Sequence, residues 1–256
     1  MKTKDIIKII EKVAPLETQE EWDNSGMQIC AHDREIKRIL VALDITNDVI
    51  DEALENKIDL IVTHHPLIFY PLSLVDMKQR VDKCVIRLAE SDINVLSFHT
   101  PFDKAKGGIN DYFLGQLGVK NIQIYNDLVR VGSLSKAITL KELAEKIAKV
   151  SGQKGFVKVQ GDPKAKVKNI GMCSGSAGEM FDIAKEAGAD VYISGDIKHN
   201  EGLDAKDTGI YLIDAGHYGT ENCFIEIMYK LLSSKCGTKV KVYKTKTVQN
   251  PFDYTV

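Results

Sequence analysis

Short apolar runs alternate with amphipathic stretches along this chain, and the whole alternation occurs twice. In the first half, residues 39–43, 60–62 and 95–98 read as buried strands, separated by helical spacing over 49–55 and 81–90. A helix over 109–117, opened by Gly107 and Gly108, follows. In the second half, strands at 169–173, 191–193 and 210–213 are interleaved with helices at 177–187 and 221–232. Parallel strands need a crossover between them, and strands covered on both faces read as unbroken apolar runs. The pattern predicts an α/β fold with two related α/β domains, 1–125 and 126–256, and mainly parallel sheets. Terminal elements are free to pack on the other half. Within the second half, residues 126–168 read as an inserted α+β segment, with a capping box from Thr139 to Glu142. A shift of 131 places Ile39 on Ile170, Ala53 on Ala184, Glu55 on Glu186 and Asp59 on Asp190. A shift of 118 places His99 on His217 and Asp103 on Glu221. An internal duplication is expected.

Composition excludes several classes of function. The 256 residues are 44% hydrophobic and 27% charged, which is neither disordered nor collagen-like. Lys and Arg number 34 against 36 Asp and Glu, a net charge of −2. That balance argues against broad capture of nucleic acid or an anionic membrane. The tail at 239–248 alternates with basic residues on one face and reads as an edge strand guarded by lysines. The five cysteines form no C-x-x-C pair, so reduced thiols are expected rather than a disulfide framework or a thiolate zinc site. Residues 1–15 read as an amphipathic helix ending near Pro15, not as a signal peptide. No window approaches the ~20 apolar residues of a membrane span, and a cytoplasmic protein is expected.

Chemistry concentrates where strands run out. Four of the six histidines, His64, His65, His99 and His217, fall at predicted strand ends, where open α/β sheets bind ligands. Adjacent residues on an extended chain point to opposite sides, so His64 and His65 are expected to serve separate centres. Asp103 follows His99 by four residues, and Glu221 follows His217 by four. Imidazoles with carboxylates and no cysteine suit Zn²⁺, Fe²⁺ or Mn²⁺. The turn from Cys173 to Glu179 offers backbone amides at Gly175 and Gly178 for an anion, and Lys198 and Lys104 are candidate cationic contacts. Taken singly, each strand-end histidine also reads as a satisfied loop or core residue or a helix cap, and it is their joint placement that points to a metal.

Six motifs then occur in order. They are Glu21-Trp22-Asp23-Asn24-Ser25-Gly26-Met27-Gln28, Val41-Ala42-Leu43-Asp44-Ile45-Thr46, Thr63-His64-His65-Pro66-Leu67-Ile68-Phe69, His99-Thr100-Pro101-Phe102-Asp103, Gly195-Asp196-Ile197-Lys198 and Asp214-Ala215-Gly216-His217-Tyr218-Gly219-Thr220-Glu221. In this order the chain resembles the Nif-three-like family, dinuclear metal centre proteins associated with type 2 GTP cyclohydrolase I. The resemblance runs from Trp22 to Phe252. It implies two α/β domains with a di-metal site between them, and a toroidal homohexamer. Carried over position by position, it makes His64, His65, Asp103, His217 and Glu221 the metal ligands, with Glu221 the bridge. The chain departs from the family's pattern in two places. Thr100-Pro101-Phe102 precedes Asp103 where the family has Asn-Leu, and Asn200 stands where many relatives carry a histidine.

The expected function is hydrolysis by a metal-activated water, for a GTP cyclohydrolase at C8 of the guanine ring with release of formate. The small anionic or nucleotide-like substrate would be held by Lys198, Lys104, Gly175 and Gly178. No protein side chain is expected to act as nucleophile, and His99 and His199 are candidates for assisting proton transfer. Two rivals stand beside this reading. One is a di-metal phosphoesterase on a nucleotide-like substrate, and the other a metal-binding assembly or regulatory protein without turnover.

Overall fold

Apolar runs of four or five residues bounded by turn signals become central strands when both faces of a sheet are covered. The computed structural model describes residues 1–152 and 155–252. In chain order, α1 (Thr3–Glu11) precedes β1 (Gly26–Ile29), β2 (Arg38–Val41), α2 (Asn47–Glu55), β3 (Leu60–Thr63), α3 (Arg80–Glu90), β4 (Asn94–Ser97) and α4 (Thr100–Lys104). Then come α5 (Ile109–Gln116), β5 (Lys120–Tyr125), β6 (Val129–Thr139), α6 (Leu140–Val150), β7 (Lys158–Gln160) and β8 (Lys166–Met172). They are followed by α7 (Phe181–Glu186), β9 (Val191–Ser194), α8 (His199–Thr208), β10 (Tyr211–Asp214), α9 (His217–Glu221), α10 (Cys223–Cys236) and β11 (Lys241–Lys244). Among the described residues, no helix is long and apolar enough to cross a membrane.

The chain divides into two compact units. The first is Met1–Ala105 with Phe224–Gln249, and the second is Lys106–Cys223 with the segment that starts at Asn250. The sequence reading divides the chain after residue 125. The structural division falls earlier because α5 packs into the second core, where Phe113 and Leu114 join Leu134, Leu140, Leu143 and Ile170. In the other direction, α10 belongs to the first unit, its Phe224 ring 5.0 Å from that of Phe102.

The first unit's sheet has the order β1-β4-β3-β2-β11. β11, β2, β3 and β4 are mutually parallel, while β1 runs antiparallel at one edge. The lysine-bearing tail is therefore the opposite edge strand. Leu40, Val49, Ile50, Ala53, Ile61, Leu88 and Val95 form the unit's core. The second sheet has the order β5-β6-β8-β9-β10-β7. Among the described residues, the β8–β9 and β9–β10 pairings of this sheet are parallel and its other three are antiparallel, so the expectation of a mainly parallel sheet holds for the first unit and not for the second. Residues 126–168, read from the sequence as an insertion, supply β6 inside this sheet and β7 at its edge. β5 and β6 turn through Asn126 and Asp127 at φ of 45° and 58°, a left-handed conformation that Asn and Asp tolerate best among residues with a Cβ.

The expected duplication is visible in backbone chemistry. Asp59 Oδ2 accepts from the N–H groups of Lys37 and Arg38 at 2.8 and 3.0 Å. Asp190 Oδ2 accepts from Lys168 and Asn169 at 2.8 and 2.7 Å, the residues reached by the same shift of 131. The His-carboxylate pairs are not in register, however. Leu60 pairs with Asn94 and Val191 with Tyr211, so the last strands correspond by a shift of 117, not 118. His99 accordingly precedes α4 as its N-cap, whereas His217 is the first residue of α9.

Candidate functional site

Each unit presents metal-type donors just past the carboxyl ends of its parallel strands. In the first, β3 ends at Thr63, so His64 and His65 lie on the turn beyond it rather than on extended chain. The alternation that would send their rings to opposite sides therefore does not apply. Their ring centroids are 5.0 Å apart, and His99 lies 5.1 Å from His64 and 5.6 Å from His65. One ring nitrogen from each of the three comes within 4.8 Å of the others. Asp103, on α4, brings Oδ1 to 3.6 Å from His64 Nε2. The pair is buried, the His64 side chain completely.

In the second unit, the helical spacing of α9 brings His217 Nε2 to 3.1 Å from Glu221 Oε2. Gly175 lies against this pair. A Cβ there would stand 2.5 Å from Glu221 Oε1 and 3.7 Å from His217 Nε2, and its φ of +69° is left-handed. Only glycine leaves that space open while holding that turn. Gly195 plays a similar part at the end of β9. A Cβ on it would come within 2.6 Å of Gly216 C and His217 N, backbone atoms that cannot swing away.

The histidines share one further property. His64 Nδ1 bonds the Phe98 carbonyl at 3.0 Å, and His65 Nδ1 bonds Asp44 at 3.0 Å. His99 Nδ1 bonds Asp23 and His217 Nδ1 bonds Asp196, both at 2.9 Å. Every partner is an oxygen acceptor, which assigns the hydrogen to Nδ1 and the lone pair of the neutral ring to Nε2. Metal-ligating histidines are held this way. Two donors bonded to one cation at about 2.0–2.2 Å stand roughly 3–3.6 Å apart. The His64–Asp103 and His217–Glu221 separations match that spacing. Imidazole and carboxylate without thiolate fit Zn²⁺, Fe²⁺ or Mn²⁺.

The aspartates that orient these rings, Asp23, Asp44 and Asp196, stand within the sequence motifs, and their spacing along the chain carries no signal of the pairing. Asp23 is the most strongly held. Its side chain is fully buried and accepts hydrogen bonds from His99, from the Thr100 N–H and hydroxyl, and from the Ser25 hydroxyl. Burial pushes this carboxyl up, but the bonds from His99 and from the Thr100 and Ser25 hydroxyls outweigh it and hold the group well below the usual carboxylate range. A carboxylate depressed in this way adds stability above its unfolded pKa of about 3.9 and loses it as pH falls towards the folded value. We expect Asp23→Asn to destabilise the metal-free protein by about 1.5–3 kcal/mol at pH 7, measured by urea unfolding. The deficit should narrow as pH drops below about 4; a deficit that stays constant would contradict this account.

Of the residues proposed from the sequence as anion contacts, Lys198, Lys104 and Gly175 have partners within the chain. Lys198 Nζ bonds Glu201 Oε1 at 3.0 Å, which raises the lysine's pKa, and Lys104 Nζ lies 2.7 Å from Glu20 Oε1. The Gly175 N–H donates to Thr220 Oγ1 at 3.0 Å. A Cβ on Gly178 would meet the Glu201 carboxylate at 2.0 Å, so an anion approaching there faces negative charge. His199 is exposed at the start of α8, beside a shallow groove of about 300 Å³ that Lys158, Leu203 and Lys206 also line.

Comparison with known proteins agrees with the sequence motifs. The model of the family described as Duf34/NIF3 (NGG1p interacting factor 3) matches residues 1–251. A Lactococcus lactis protein named GTP cyclohydrolase 1 type 2 homolog is 36% identical over 258 residues, covering 98% of this chain and 99% of its own. A Clostridium acetobutylicum protein of the same name is 33% identical, covering 99% of each. Among solved structures, the Staphylococcus aureus protein SA1388 superposes with a TM-score of 0.93 at 28% identity, over 100% of this chain and 99% of that one. Reduced HcgD from Methanocaldococcus jannaschii gives 0.81 at 30% identity, over 96% and 98%. On this evidence the chain belongs to the DUF34/NIF3 family.

Proposed function

We propose that this NIF3-family protein is a hydrolase dependent on divalent metal. It holds two cations through His64, His65, Asp103, His217 and Glu221 and opens the guanine ring of GTP. The observation that carries the reading is the fixing of Nδ1 on each of the three histidine ligands by an oxygen acceptor, which leaves Nε2 as a donor. The substrate class comes from the relatives named GTP cyclohydrolase 1 type 2 homolog. When bound, the cations would acidify a water molecule and polarise the group under attack.

The chain's own residues supply the rest. Asp103 and Glu221 offset the positive charge from buried positions. The phenyl ring of Phe224 stands 5.1 Å from the His64 imidazole and helps keep bulk water from that donor. His99, its Nδ1 committed to Asp23, can take up a proton at Nε2 and hold it near the reacting group. Assembly as a toroidal homohexamer and a place in the cytoplasm belong to the same proposal, on the family resemblance.

Reconstitution with Mn²⁺, Zn²⁺ or Fe²⁺ should give about two metal equivalents per chain by elemental analysis. GTP should then release formate, and chelator-stripped protein should not. Well under one equivalent would remove the dinuclear centre. Phosphate release without formate would replace the cyclohydrolase by a phosphoesterase.

A further inference from the structure

Trp22 is the only tryptophan in the chain, and its side chain is 57% exposed. An indole that reaches solvent this far is ordinarily free to move. The segment that follows it is firmly anchored. The adjacent Asp23 is tied into α4 through His99 and Thr100. The next residue, Asn24, donates from Nδ2 to the Ile68 carbonyl. Gln28 closes the clamp: its Oε1 accepts from the Ile68 N–H at 3.0 Å, and its Nε2 donates to the Asn24 carbonyl at 2.6 Å. Segment 22–28 is thereby fastened to the chain that carries Phe69.

The rings arranged by this clamp form a shelf. Trp22 and Phe69 have centroids 6.1 Å apart, tilted by 38°. Both meet the His99 imidazole edge-on, at 5.8 and 6.1 Å. Tyr70, 76% exposed, stands 4.9 Å from Phe69 and turns its ring by 81°. The shelf therefore begins at the histidine cluster and runs outward to solvent. Aromatic faces that are held still and open on one side are how proteins stack nucleobases, because every base offers a π-face.

We propose that Trp22 and Phe69 form the stacking subsite for the planar nitrogen heterocycle of a nucleotide substrate, with His99 at its inner end. The choice of heterocycle rests on the cyclohydrolase reading of the adjacent donors. Stacking itself requires no metal, so the two ideas can fail separately.

The test uses the full-length protein stripped of metal and titrated with guanosine 5′-monophosphate, with ribose 5-phosphate as a probe lacking the ring. Guanosine monophosphate should quench the Trp22 fluorescence, and ribose 5-phosphate should leave it unchanged. By calorimetry, Trp22→Ala should bind guanosine monophosphate about tenfold more weakly or worse. Trp22→Phe, which keeps a ring, should recover part of the loss, and circular dichroism must show both variants folded. Should Trp22→Ala misfold, the Trp22→Phe variant and a Phe69→Leu variant carry the measurement. Unchanged affinity in the folded variants would overturn the subsite. So would equal quenching by ribose 5-phosphate, or quenching that follows protein concentration without ligand, which would mean a second copy covers the shelf. Stacking by a protein that never takes up metal would leave the subsite standing and the hydrolase reading fallen. Full metal content and formate release with unimpaired Trp22→Ala would do the reverse.

Discussion

The Asp103→Ala, Glu221→Ala double variant is expected to lose bound metal and, with it, formate release from GTP. Both carboxylates are almost fully buried, at 7% and 2% exposure. Each lies beside an imidazole Nε2, at 3.6 and 3.1 Å. Removing them leaves neutral donors alone to meet a dication. Changing a group that merely orients a ligand weakens metal binding by about 10–100-fold. Losing two charged direct donors should exceed that range. Thermal melts give a second readout. A ligand present at a hundred times its Kd stabilises the folded state by about 2.7 kcal/mol, so added Mn²⁺ should raise the wild-type Tm and leave that of the variant in place. Equal metal content in the two proteins would defeat the ligand assignment.

Arg130→Ala should be the most damaging single change away from these donors. Arg130 is completely buried. Its Nε donates to Asp111 Oδ1 at 2.9 Å, and Nη1 donates to the carbonyls of Asp127 and Leu128 at 2.7 and 3.0 Å. Those carbonyls belong to the β5–β6 turn, whose Asn126 and Asp127 are left-handed. Truncation would take the cation from the partly buried Asp111 carboxylate, leaving it the Gly107 N–H at 2.6 Å, and loosen the turn together. Breaking one side of a buried ion pair costs about 3–5 kcal/mol. Urea unfolding at pH 7 checks this. An Arg130→Met, Asp111→Leu variant should be less impaired than Arg130→Ala, because no charge is then left behind.

The parallel strands were legible because β3, β4 and β9 are buried along their whole length and β2 along all but Arg38, so that they read as largely apolar runs. β5 and β6 were not. β5 is largely exposed, and β6 carries Gly132, Ser133, Ser135 and Lys136 among its apolar residues, so neither shows a clean period. The placement of α5 had no local signal at all, since its apolar face suits either core. For the site, position did most of the work: histidines at strand ends, and a carboxylate one helical turn beyond in α9. The orienting aspartates escaped because they act over 21 residues for Asp44 and Asp196, and 76 for Asp23. An Asp-Asn-Ser run and a Gly-Asp pair look like ordinary turns until the chain folds.

The first sheet also sets a timetable for synthesis. Its edge strand β11 pairs with β2, and Gln249 accepts from the Leu43 N–H across 206 residues of chain. A ribosome adding about 5–20 residues per second needs on the order of ten to forty seconds to cover that span. Throughout it, one flank of β2 has left the exit tunnel with its hydrogen-bonding groups unmatched, a template for aggregation. Pairing of β2 with β11 can complete only after the whole stretch Lys106–Cys223 of the second unit has been made.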